Sequence, residues 1–333
     1  MTRARRPDLA ELERGVRAGD RGLLARAITL VESVRAEDRE AAQTLVNALL
    51  DRTGGAYRVG LSGPPGVGKS SFIETLGCVL CDRGHRVAVL AVDPSSSLTG
   101  GSILGDKSRM VELSRRDEAF IRPSPSAATL GGVARRTREA LLLCEAAGHD
   151  VVLVETVGVG QSETAVADMV DTFCVLAQPG AGDELQGIKR GILELADVVA
   201  VNKADGSLLP AARIAVAELQ AAFHYARPRG GGWAPRALAV SAHERSGIDE
   251  FWEAVEAHRA AIAATGELES RRVEQRRRWL WDEIRELTLR RIEADETVRE
   301  RFVALEDEVA AGRRTPGAAA AELVAALFPP RGD

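Results

Sequence analysis

Cysteine is scarce in this chain: four residues in 333, Cys78, Cys81, Cys144 and Cys174, at no regular spacing. A chain of this length can bury a core that needs no disulfides, so a reducing compartment is expected. Basic excess is also missing, since 44 Lys and Arg against 49 Asp and Glu leave a net charge of −5. General binding to a nucleic-acid backbone is therefore not expected. No apolar run approaches the ~18 residues that span a bilayer. Arg3, Arg5 and Arg6 are followed at once by Asp8, Glu11 and Glu13, not by the apolar stretch of a leader, so a cytoplasmic protein without membrane attachment is the expectation. The five histidines, His85, His149, His224, His243 and His258, are scattered and join no cysteine cluster, which argues against a dedicated transition-metal site. Cys78-Val79-Leu80-Cys81 has redox spacing, but it falls inside a predicted helix, where cysteine serves as a small core residue.

What is present divides into three stretches. Residues 1–56 read as a helical extension, with Asp20 as an N-cap before Leu23, Leu24, Ala27, Ile28 and Val31 at helical spacing. Residues 57–265 alternate apolar runs of strand length with helix-length segments, the pattern of βαβ units and a mostly parallel sheet, hence an α/β fold. The predicted strands are Arg58–Ser62, Arg86–Val92, Val151–Glu155, Thr172–Ala177, Val198–Asn202 and Ala237–Ser241. Residues 266–333 turn Arg- and Glu-rich, with Trp279, Trp281, Ile284, Leu287 and Ile292 as a helical stripe. Thr315-Pro316 opens a last helix that Pro329-Pro330 stops. The stripe fits either a helix packed on its own domain or a dimer arm.

Gly63-Pro64-Pro65-Gly66-Val67-Gly68-Lys69-Ser70 satisfies G-x-x-x-x-G-K-[ST], directly after a predicted strand and opening a predicted helix. That context makes it a P-loop. Inward-turned backbone N–H groups and the helix N-terminus, through Ser71, cradle phosphate; Lys69 reaches the β and γ phosphates and Ser70 ligates Mg²⁺. The base is chosen elsewhere. Asn202-Lys203-Ala204-Asp205 closes a predicted strand, and an ionised Asp205 can accept from both guanine N1–H and the exocyclic amine. Adenine offers no such donor pair. Asn202 would tie the loop to the P-loop, the stem of Lys203 would cover the base, and Ser241-Ala242 is placed to offer a backbone N–H to guanine O6. GTP is the expected nucleotide. Asp93 and Glu155, each ending an apolar run, stand where carboxylates hold Mg²⁺ through its waters. Asp106, in a Gly-rich loop, is a further candidate ligand, and Gly158 can give its N–H to the γ phosphate. Lys69, Glu155 and Gly158 are the catalytic candidates.

At Gly63–Ser70, Val92–Ser96, Gly100–Lys107, Glu155–Glu163, Asp183–Lys189 and Asn202–Asp205 together, the chain resembles the methylmalonyl-CoA mutase-associated GTPases, the MeaB family, once described as arginine/ornithine transport kinases. The resemblance implies a GTPase core with an N-terminal helical extension and a C-terminal dimerisation arm. It implies a homodimer that chaperones an adenosylcobalamin-dependent acyl-CoA mutase, gating cofactor delivery and protecting or reactivating the mutase. No cobalamin site of the chain's own is expected. By position, Lys69 and Ser70 bind phosphate and Mg²⁺, Asp93, Asp106 and Glu155 surround the metal, and Asn202 and Asp205 read guanine. Asp183, Glu184, Gln186 and Lys189 match the partner-coupling loop called switch III. Ser71-Phe72 and Ser97-Leu98-Thr99 depart from the family pattern, the latter lacking an arginine that many relatives carry.

Phosphoryl transfer needs positioning and charge neutralisation more than covalent chemistry. No water-orienting group stands out, because Gln161 reads equally as a solvated loop residue. Slow turnover that a partner accelerates is the expectation. Two other readings compete: a metal-delivery GTPase, which should carry a His-rich or multi-Cys cluster, and an interaction module whose nucleotide is structural.

Overall fold

The computed structural model describes residues 8–92, 110–123, 130–156, 162–179, 190–225 and 232–327. Asp93, Asp106, Gly158, Gln161, the loop residues Asp183, Glu184, Gln186 and Lys189, and Pro329-Pro330 lie outside them.

Three helices come first: α1 (Leu9–Arg17), α2 (Arg21–Glu32) and α3 (Ala36–Ala48). Asp8 accepts from Ala10 N at 3.0 Å and Asp20 from Leu23 N at 2.8 Å, so α1 and α2 each start on a side-chain cap of the kind that is worth ~1 kcal/mol. Leu12, Val16, Leu24, Ile28, Val31, Leu45 and Leu49 are buried.

Then come β1 (Tyr57–Ser62), α4 (Lys69–Asp82), β2 (Val87–Val92), α5 (Val111–Ser114), β3 (Ala119–Arg122), α6 (Leu130–Ala146) and β4 (Val151–Thr156). They are followed by α7 (Ser162–Ala167), β5 (Thr172–Ala177), α8 (Arg190–Leu193), β6 (Val198–Val201), α9 (Leu209–Tyr225), β7 (Arg236–Ala239) and α10 (Ile248–Ala264). The strands form one seven-stranded sheet in the order β3-β2-β4-β1-β5-β6-β7, parallel at every pairing. Strands buried on both faces read as continuous apolar runs, which is why Val-Ala-Val-Leu-Ala-Val and Thr-Phe-Cys-Val-Leu-Ala show themselves in the sequence. The edge strand Ala-Phe-Ile-Arg of β3 does not. It is four residues long and follows Arg115-Arg116-Asp117-Glu118, so its apolar run is too short to stand out.

One face of the sheet is covered by α4 and α10, where Phe72 meets Phe251 edge-on at 4.9 Å and Trp252 lies 5.4 Å from Tyr57. Cys78 and Cys81 belong to this core, and burial raises both thiols, that of Cys81 to about 11. Such thiols are inert packing groups.

The chain divides into two units, Met1–Gln275 and Arg276–Asp333. Helix α11 (Glu267–Ala294) begins after a break at Gly266, whose φ is +74°. In the second unit, α12 (Glu296–Ala310) starts at the Asp295 cap and α13 (Pro316–Leu327) at Thr315, and Val298, Leu305, Ala319 and Leu323 form a small core. Asp295 separates α12 from the long stripe, a cap that the charge-rich sequence hides.

The opposite edge of the sheet from the P-loop is locked by buried charge. Arg58 grips Glu145 with two bonds, at 2.8 and 2.9 Å. Arg272 of α11 grips Asp171 at 2.8 and 2.6 Å and also reaches the carbonyls of Ala56 and Gly54. Glu145 accepts from Gly54 N at 2.7 Å, and Gln275 donates to Val170 O at 2.8 Å. The start of α11 is thereby held to the first unit. Removing one partner of such a pair strands the other charge without water. Arg272→Met is expected to cost roughly 3–5 kcal/mol in urea unfolding. Arg17→Met, which breaks an exposed pair with Asp51, is expected to change little.

Candidate functional site

The loops after β1, β6 and β7 meet at the carboxyl ends of the strands, beside the end of β4, where open parallel sheets bind ligands. Residues 63–68 leave β1 through Gly63, and a Cβ there would come within 2.5 Å of the Leu176 carbonyl. Gly68, at φ +94°, starts α4, and a Cβ on it would stand 2.8 Å from Asn202 Nδ2. Gly68, the N-cap of α4, has no side chain with which to cap it, which leaves N–H groups of the first turn as donors suited to an anion. Pro64 is half-buried, Pro65 and Gly66 are exposed, and Val67 is buried.

Lys69 is buried, with Nζ donating to the carbonyls of Gly63 at 2.8 Å and Pro64 at 3.1 Å. Desolvation lowers its pKa, and the charges of Glu155 and Glu163 act in the opposite sense. Ser70 donates to Glu155 Oε1 at 3.2 Å, whereas Ser71 is exposed. Thr156 donates to Ser62 at 2.9 Å, joining the end of β4 to the last residue before the P-loop.

The structure brings the second motif to the first. Asn202 is 2% exposed and donates through Nδ2 to Val67 O at 2.8 Å, while its Oδ1 accepts from Ala242 N at 3.2 Å. Lys203 adopts φ +60° and sends Nζ to Gly66 O at 2.8 Å. Asp205 accepts from the buried Ser241 hydroxyl, and Ser241 Oγ in turn accepts from Glu244 N at 3.0 Å. One detail departs from the sequence expectation: the Ala242 N–H is shared with Asn202, so a guanine O6 would enter an existing hydrogen bond.

Glu163, in the first turn of α7, belongs to neither the phosphate motif nor the base motif. It is 5% exposed, and among the described residues its Oε2 has no hydrogen-bond partner. A buried carboxylate oxygen of this kind calls for a further partner. The charge of Glu163 acts on Lys69 together with that of Glu155, and the Ser70–Glu155 pair supplies oxygen donors, the type that suits hydrated Mg²⁺.

Residues 24–297 match the family described as methylmalonyl Co-A mutase-associated GTPase MeaB. The chain belongs to the MeaB family. It is 55% identical over 313 residues to a probable GTPase of Mycobacterium tuberculosis, covering 94% of this chain and 93% of that one. A mouse protein named methylmalonic aciduria type A homolog, mitochondrial, is 49% identical, over 94% of this chain and 78% of its own length. The crystal structure of an LAO/AO transport system kinase superposes with a TM-score of 0.76 at 38% identity, covering 98% of this chain and 99% of that one. The MeaB-family chain is thus a GTP hydrolase built on a P-loop α/β fold. Among its described residues no helix is long and apolar enough to cross a membrane.

In this MeaB-family site Asp205→Asn replaces a two-acceptor carboxylate by an amide that presents a donor to guanine N1–H. Calorimetry should show weaker GDP binding and a gain for XDP, which carries a 2-oxo group. Unchanged GDP affinity with no gain for XDP would remove Asp205 from base recognition.

Proposed function

We propose that this MeaB-family GTPase is a cytoplasmic chaperone of an adenosylcobalamin-dependent acyl-CoA mutase, using GTP turnover to gate cofactor delivery and to protect or reactivate the mutase. The observation that carries the reading is the family match across 274 of the 333 residues, positions 24–297. The name of the mouse relative supports it.

The chain's own residues supply positioning. Lys69 exchanges its loop carbonyls for the β and γ phosphate oxygens, a charge-assisted bond stronger than the neutral one it replaces. The uncapped turn of α4 receives the remaining phosphate oxygens. Ser70, Glu155 and Glu163 hold the cation side, with Asp93 and Asp106 as further ligands and Gly158 as a donor to the γ phosphate. Mg²⁺ held by these residues would supply positive charge against the charge that develops in transfer. Asp205 and Asn202 fix the base. Gln161, the candidate for orienting the attacking water, lies outside the described residues; slow turnover that a partner accelerates is part of this reading.

Asp183, Glu184, Gln186 and Lys189 are the residues through which partner contact reaches the nucleotide. A ligand shifts an equilibrium only by its differential affinity for the two states, so removing one loop charge weakens coupling without touching the phosphate cradle. Lys189→Ala should keep intrinsic GTP turnover and GDP affinity while reducing the stimulation by added mutase. Equal stimulation in parent and variant would overturn the role of Lys189. A mutase that neither stimulates the parent nor binds it would overturn the chaperone reading.

The C-terminal arm serves a homodimer. Leu280, Ile284 and Leu287 recur on one face of α11 and, with Trp281, are exposed, an apolar surface that a second copy would cover. Because Arg272 and Gln275 anchor α11 in the first unit, the informative truncation follows Gln275. Sedimentation should then show a monomer that still binds GDP, against a dimeric full-length chain. A monomeric full-length chain at micromolar concentration would overturn the dimer.

A further inference from the structure

Thr75 lies in the second turn of α4, outside every motif described above. Its hydroxyl donates to the carbonyl of Ala242 at 3.0 Å. The N–H of Ala242 donates to Asn202 Oδ1 at 3.2 Å. Ala242 is therefore held on both sides: the peptide before it by Asn202 and the peptide after it by Thr75. The loop also has a second tie to α4. Arg245, at φ +55°, pairs with Glu112 at 2.9 Å, and Glu74, the neighbour of Thr75, accepts from Glu112 N at 2.8 Å. The Arg245 and Glu112 side chains are 54% and 64% exposed, so solvent screens that pair and it restrains little. The half-buried Thr75 bond is the stronger hold.

We propose that Thr75 is a positioning residue for guanine recognition: by fixing the Ala242 carbonyl it aims the Ser241–Ala242 peptide N–H at the place of guanine O6. The proposal rests on the base reading assigned above to Asp205 and Ala242. Its physical content is that the O6 contact depends on a hydroxyl of the phosphate-binding helix. Since α4 begins at Lys69, the grip on phosphate and the grip on O6 share one rigid element. A nucleotide that seats its phosphates on α4 therefore meets an O6 donor already in register. The remaining guanine contacts, at N1–H and the amine, run through Asp205 and Ser241 and do not involve Thr75. That separation makes the residue testable by changing the base as well as the protein.

The test uses the full-length chain and three diphosphates. GDP has O6, N1–H and the 2-amino group, IDP lacks only the amine, and 2-aminopurine riboside diphosphate keeps the amine but lacks O6 together with N1–H. The Thr75 effect is therefore read from the comparison of variant with parent on each base. Thr75→Val is nearly isosteric and removes only the donor; Thr75→Ser keeps it. Calorimetry should show Thr75→Val binding GDP and IDP roughly two- to tenfold more weakly, the range of one net hydrogen bond. Affinity for the 2-aminopurine analogue should be unchanged, and Thr75→Ser should restore the parent values. With GTP the variant should raise KM and leave kcat intact. If the parent discriminates GDP from the analogue and Thr75→Val discriminates equally well, Thr75 has no part in reading O6. An equal loss for all three diphosphates would make its role structural, which also overturns the proposal. A parent that binds GDP and the analogue equally would overturn the O6 reading itself, and the role of Thr75 with it.

Discussion

The carboxamide of Asn202 carries the site. It is buried, gives its N–H to Val67 O and takes the N–H of Ala242, so the loop after β6 joins the phosphate loop after β1 to the base loop after β7. A carboxamide is suited to this because it offers donor and acceptor at fixed separation. Alanine would leave two peptide groups with lost partners, at a cost of about 1–3 kcal/mol for each buried group. Aspartate would set a carboxylate against the Val67 carbonyl. The glycine at 68 follows from the same contact, since its Cβ would run into Asn202 Nδ2. Two motifs far apart in the sequence thus express one steric and hydrogen-bonding constraint.

The two edges of the sheet treat polar groups in opposite ways. At the amino edge Arg58, Glu145, Asp171 and Arg272 are paired side chain to side chain, with further backbone partners. Such fully paired buried charge resists rearrangement, because any shift exposes an uncompensated ion to a low dielectric. At the carboxyl edge Lys69 and Lys203 bond to carbonyls of the loop itself, and one oxygen of Glu163 has no partner among the described residues. Those groups can change partner at small cost. The rigid edge holds the strands in register while the other remains free to exchange hydrogen bonds with a ligand.

The sequence discloses the carboxyl edge well and the amino edge poorly. A P-loop, an N-K-x-D and the strands between them are local patterns, each contained in a few consecutive residues, and β1, β2 and β4–β7 all fall where apolar runs place them. Arg272 and Asp171 are single charged residues in polar stretches, and nothing in their neighbours shows that they meet in the core. Thr75 and Glu163 escape for the same reason: their significance is a contact made across the fold. Glu163 had one visible signal, its place at the end of the Glu155–Glu163 run. Strand β3 and the Asp295 cap of α12 escape for want of length and contrast. Spacing discloses what the backbone repeats, and long-range pairing leaves no such trace.

The charge balance around Lys69 shows why nucleotide binding here should be coupled to a cation. Burial disfavours the ammonium, and the charges of Glu155 and Glu163 favour it. Carbonyl oxygens of Gly63 and Pro64 compensate a buried cation only as neutral dipoles. A phosphate would compensate Lys69 better, yet it would also enter beside two buried carboxylates, and like charges repel strongly where water is excluded. One ammonium cannot offset both carboxylates and a phosphate. The deficit is positive charge, and it lies beside Ser70 and Glu155, whose oxygens meet at 3.2 Å. A divalent cation placed there turns the carboxylates from opponents of the phosphate into its indirect supports. The same carboxylates that oppose the effect of burial on Lys69 thus also favour a cation beside its partner anion.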